Sequence, residues 1–92
     1  MDRVEISPNI ELTFDGRILT FSQRWEKRSY TEKFDVGLAK WQLTDYTTLF
    51  KRRKQLHFSI STPGSHGGGQ TVIAEGAQAE ALRAFVHRAF GE

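Results

Sequence analysis

The apolar residues of this chain repeat with one period through most of its length and with another at its end. Up to about residue 74 they alternate with polar residues, as on strands with one buried face. Near the C-terminus, Leu82, Phe85, Val86, Ala89 and Phe90 fall instead at i, i+3, i+4, i+7 and i+8, the stripe of an amphipathic helix. No helical pattern is interleaved between the strand patterns. Parallel strands need crossovers of about a dozen residues, usually helical. The expected fold class is therefore α+β: a curved antiparallel sheet or partly open barrel of about five to seven strands, capped by one C-terminal helix.

The alternating runs can be placed individually. Ile10, Leu12 and Phe14 precede Asp15-Gly16, which suits a two-residue type I′ turn because both central positions need positive φ. Closing the hairpin there pairs Phe14 with Arg17, Leu12 with Leu19, and Ile10 with Phe21. Pro8 is expected to mark the start of this first strand. Tyr30, Phe34, Val36 and Leu38 share one parity, with Glu32 the mismatch and Gly37 a bend or bulge near the end. A further strand begins at Trp41 and Leu43 and runs through Tyr46 toward Phe50. Leu56, Phe58 and Ile60 form the next, and Thr71 to Ala74 the last. The helix is expected over about 77–90, with alanines raising its propensity and Gly91 ending it.

At 92 residues the chain has the length of one domain, taken as residues 1–92, with strands over about 10–74. Two Trp, two Tyr and seven Phe concentrate burial in few side chains and argue against disorder. There is no cysteine, which excludes disulfides, a thiolate nucleophile and any Cys-based zinc site. The charged stretch Met1 to Glu5 does not read as a secretory signal, and no run approaches the ~18 apolar residues of a membrane span. A cytoplasmic location is the expectation.

The net charge of +2 is unevenly spread. Between Arg24 and Lys54 nine cations stand against four anions, and elsewhere four cations against seven anions. Such asymmetry bears on partners, not on fold. The densest part is Lys51-Arg52-Arg53-Lys54, read either as a solubilising hairpin tip or as a contact for phosphates or an anionic membrane. Aromatics are interleaved with the same basic stretch. Alternation assigns Tyr30, Phe34 and Trp41 to the core. Trp25 has only Arg24, Glu26, Lys27 and Arg28 around it and is the aromatic expected to be exposed for binding. The candidate ligand-binding residues are thus Trp25, Lys27, Arg28, Lys51, Arg52, Arg53 and Lys54.

Other segments argue against catalysis. The run Pro63 to Gly69 is glycine-rich, but Gln70 and a strand follow it rather than the Lys-Ser/Thr and helix of a phosphate loop. It reads as a flexible connection. His57, His66 and His87 lack metal-ligand spacing, and Ser65-His66 does not make a triad. No catalytic, metal-binding or cofactor-binding set is expected. Phe90, at the end of the helical stripe, is a candidate for self-association.

The opening hairpin Leu12-Thr13-Phe14-Asp15-Gly16-Arg17-Ile18-Leu19, the middle stretch Phe34 to Trp41 and the closing helix Ala81 to Val86 together make a layout that resembles the bacterial pleckstrin-homology-like (PH-like) domains. In these a strongly bent antiparallel sheet is capped by one C-terminal helix. Small SH3-like barrels with an added helix share the layout. The resemblance implies a binding scaffold, one that carries lipid, peptide and purely structural roles. Phosphoinositide-binding members use basic residues around a long first hairpin loop. Here that loop is expected to be Asp15-Gly16, followed only by Arg17, so lipid binding is not implied. The functional expectation is a non-catalytic binding or self-association module. Its partner is a protein or a second copy, with nucleic acid or anionic lipid as the alternative through the basic 24–54 segment.

Overall fold

The computed structural model describes residues 1–47, 54–63 and 68–91. Among the described residues, seven antiparallel strands are followed by one helix. The strands are β1 (Asp2–Ser7), β2 (Ile10–Phe14), β3 (Ile18–Trp25), β4 (Arg28–Asp35), β5 (Lys40–Thr47), β6 (Lys54–Ser61) and β7 (Gly69–Glu75), and the helix is α1 (Gly76–Phe90). They form a four-stranded sheet, β1-β2-β3-β4, and a three-stranded sheet, β5-β6-β7. The expected fold class is thus correct at the level of α+β with antiparallel strands and a terminal helix. The barrel is not closed. Among the described residues no ladder joins β4 to β5 or β1 to β7.

One apolar core lies between the sheets and under the helix. Leu19, Phe34, Phe58, Leu82, Phe85 and Val86 are among its most completely buried side chains. α1 packs on β1, β6 and β7, and so bridges both sheets. Its buried positions, Leu82, Phe85, Val86 and Ala89, are four of the five in the expected stripe, and the fifth, Phe90, is partly buried. Gly91 ends the helix at φ 72°, where a side chain would be strained, and its N–H bonds the His87 carbonyl.

Four expectations need correction. The first strand lies before Pro8, not after it: Val4 and Ile6 are buried in β1, and Pro8 lies in the turn between β1 and β2. Two of the charges that obscured this strand, Arg3 and Glu5, stand on its outer face, where Arg3 meets Glu11 at 3.3 Å.

The second concerns the hairpin register. Phe14 pairs with Leu19, Leu12 with Phe21 and Ile10 with Gln23. Asp15 builds the turn with its side chain: Oδ1 accepts the N–H of Arg17 at 2.9 Å and of Ile18 at 2.7 Å, while its own N–H donates to the Ile18 carbonyl. This self-bonding of Asp is an alternative to the tight type I′ turn. The pairing shifts by an even number of residues, so every side chain keeps its face.

Third, Leu38 is 67% exposed and Gly37 lies in the β4–β5 turn, its N–H bonded to Asp35 Oδ1. The strand run ends at Asp35 because that carboxylate captures the backbone. Fourth, Tyr30 is not a core residue; it is 41% exposed. Trp41 is half-buried and stacks on Phe90, with ring centroids 4.9 Å apart.

Candidate functional site

The site is built by β3 and β4, which run beyond the core at their connected end. Directly opposite residues of an antiparallel pair share a face. Leu19 faces Phe34, Phe21 faces Glu32, Gln23 faces Tyr30, and Trp25 faces Arg28. Leu19, Phe21 and Phe34 are buried, whereas Trp25 is 51% exposed. The core-facing side of the hairpin therefore emerges into solvent as it leaves the core. Glu26 and Lys27 make the turn, and Arg24 N–H donates to the Asn9 carbonyl at 2.9 Å, tying the hairpin to the β1–β2 turn. Asn9, Trp25, Glu26, Lys27 and Arg28 line an open depression of about 500 Å³.

Tyr30 is held in place. Its hydroxyl donates to Glu32 Oε2 at 2.6 Å, and its ring meets Phe21 edge-on with centroids 6.2 Å apart. Gln70 of β7 donates to the same carboxylate oxygen at 2.8 Å, linking the two sheets. Bonding to Glu32, then burial and the Glu32 charge, push the Tyr30 phenol above its ordinary pKa. The Glu32 carboxylate lies against Gly68, where a Cβ would fall 1.7 Å from Oε1. The mismatch in the β4 alternation is thus a sheet-to-sheet polar bridge.

Electrostatically, the hairpin end carries three cations, Arg24, Lys27 and Arg28, against one acid, Glu26. Glu26 of the turn is the acid beside them; Asp35, Asp45 and Asp2 pair with Arg17, Arg83 and Arg88 elsewhere in the fold. Among the described residues Arg24, Lys27 and Arg28 form no ion pair.

Of the expected site residues, Trp25, Lys27 and Arg28 come together here. Lys51, Arg52 and Arg53 lie outside the described residues. Lys54 is exposed and opens β6 opposite Thr47. That is the far end of the three-stranded sheet from Ser61 and Gly69, near which Gln70 meets Glu32. Lys54 is accordingly not brought to the hairpin end. Tyr30 and Gln70 belong to the site region but were missed. The signal for Tyr30 was its place two residues beyond Arg28, on the Trp25 face once Glu26-Lys27 is recognised as a turn.

The first hairpin turn is Pro8-Asn9, not Asp15-Gly16, and it too carries no cation. The histidines are separate. His57 lies against Tyr46 with the rings tilted by 45° and their centroids 4.2 Å apart, and its Nε2 is 3.2 Å from Gln55 Oε1. His87 is exposed on α1, and His66 is outside the described residues. The Tyr46–His57 pair lies on the outer face of the three-stranded sheet, where His57 faces Ile73 across the β6–β7 ladder.

The chain matches no protein-family model, no curated protein and no solved structure.

Proposed function

We propose that this chain is a non-catalytic binding module on a PH-like scaffold, taking an anionic partner at the free end of the β3–β4 hairpin. The scaffold reading is supported by the order of seven antiparallel strands and one capping helix. The observation that carries the binding reading is Trp25, half exposed on a ladder directly opposite Arg28, which has no acidic partner among the described residues. An indole left half in water forgoes apolar burial worth roughly 25 cal/mol per Å². Beside this excess of cations, that surface suits a partner supplying negative charge and a flat or apolar contact. Lys27 and Arg24 extend the positive field around the turn.

The test is an amide ¹⁵N–¹H titration at low salt with a short oligonucleotide and with anionic lipid head-groups. Shifts should concentrate on residues 24–30 and fade as salt rises. A folded spectrum that stays still with every polyanion would sink this reading.

A second reading, self-association, is favoured by one observation. Tyr46 and Ile73, 50% and 51% exposed, stand on the outer face of the three-stranded sheet. If that face pairs two copies, sedimentation shows a concentration-dependent dimer that Ile73→Lys abolishes.

A further inference from the structure

We infer that the anionic partner of the β3–β4 hairpin is a single-stranded nucleic acid whose bases stack on Trp25 and Tyr30. The inference rests on the binding reading above and names the chemistry that reading leaves open.

Two aromatic rings share one face of the hairpin. Trp25 lies opposite Arg28 and Tyr30 opposite Gln23, so the two rings occupy diagonal positions on neighbouring strands. Diagonal residues in such a pair stand about 7–8 Å apart, with their Cβ atoms somewhat closer, room for two bases splayed from one another. Both rings are accessible, at 51% and 41%. Tyr30 is fixed before any ligand arrives, by its bond to Glu32 and its edge contact with Phe21. A ring already ordered loses little entropy on binding. Arg28 on the same face and Lys27 in the turn are free to meet phosphates, and Arg28 adds a planar guanidinium beside the rings. Aromatic platform plus cationic track is how single strands are held without reading their sequence.

Other polyanions fit these residues less well. An acidic peptide would neutralise Lys27 and Arg28 but leave two rings uncovered, whereas every base has a flat face for one. A bilayer would be entered turn-first, and the turn residues are Glu26 and Lys27, both charged and exposed. Sinking Tyr30 into the headgroup layer would carry the Glu32 carboxylate with it. A duplex hides its base faces in its own stack.

The chain has two tryptophans, so Trp41→Phe leaves Trp25 as the only indole. This variant is titrated with a uridine oligonucleotide, a duplex of equal length, inorganic tripolyphosphate, and phosphatidylcholine–phosphatidylserine vesicles. Amide shifts are followed in parallel. The single strand is expected to quench Trp25 emission and the duplex is not. With two phosphates engaged, affinity for the single strand should fall roughly sevenfold between about 50 and 200 mM salt. Trp25→Ala and Tyr30→Ala, in chains that keep Trp41 and the native fold by amide spectrum, should each lose about tenfold in affinity or more. Tyr30→Phe, which keeps the ring, should retain binding. If tripolyphosphate moves the amides of residues 24–28 but the oligonucleotide leaves Trp25 unquenched, base stacking is refuted and the anionic reading stands. A blue shift with vesicles alone replaces nucleic acid by a membrane. No response to any of the four overturns both.

Discussion

At the scale of single residues, Glu32 carries more of the tertiary structure than its place in an alternating strand suggests. It accepts from Tyr30 of its own sheet and Gln70 of the other, and it lies over Gly68, where no side chain intrudes. The Tyr30 proton is held by this carboxylate, so ionising the phenol means giving up that bond. Its folded-state pKa stands above the unfolded value. The bond's contribution is therefore complete below the ordinary phenol range and is lost as pH rises through the raised value. In a Tyr46→Phe background, tyrosinate absorbance should report Tyr30 ionising above an ordinary phenol. Glu32→Gln should lower that transition. So should Gly68→Ala, because its methyl displaces the carboxylate. If Gly68→Ala leaves the titration unchanged, the Glu32 carboxylate does not lie against Gly68.

At the scale of elements, side-chain bonds clasp the strands to the helix. Arg88 of α1 donates to Asp2 of β1 from Nε at 2.7 Å and from a terminal nitrogen at 3.1 Å. Arg83 pairs with Asp45 of β5. Bonding to Arg88 draws the Asp2 carboxyl below its ordinary 3.8, against the opposing effect of burial. A depressed acid contributes stability above its unfolded pKa and loses it as pH falls through the folded value. Asp2→Asn should therefore lower the melting temperature at neutral pH. The gap to the native chain should begin to narrow near pH 3.8 and vanish only below the lower folded value. A gap that persists in acid would show that Asp2 acts by packing and not by charge. The pair is partly exposed, so the effect at neutral pH should be a few degrees at most.

For the whole molecule, the helix decides cooperativity. Because α1 touches β1, β6 and β7 over one continuous core, neither sheet has an apolar interior of its own. Phe85, fully buried in the stripe, should cost about 3–5 kcal/mol when truncated to Ala. That is a large part of the roughly 5–15 kcal/mol a domain of this kind has. Unfolding followed by far-ultraviolet circular dichroism and by tryptophan emission should remain one coincident transition, shifted to lower denaturant. Separate transitions for the two probes would mean that the sheets unfold independently.

Elements with a strong period were legible in the sequence because the period is itself the burial pattern. The stripe of α1, the alternation of β6 through Leu56, Phe58 and Ile60, and the halt at Gly91 needed no knowledge of neighbours. The inward face of the Asp15 hairpin was also legible, since a shift by two residues preserves parity, but its register depended on Asp15 bonding to Arg17 and Ile18. Of the candidate site, the exposure of Trp25 beside Lys27 and Arg28 followed from the lack of any apolar partner nearby in the chain. Tyr30 did not follow: its parity matches Phe34, and only the limit of the core separates a residue that is covered from one that is not. Where the core ends, which acid answers which arginine, and whether distant cations such as Lys54 join the hairpin depend on how two sheets are set against each other. Local sequence periodicity carries no term for that distance.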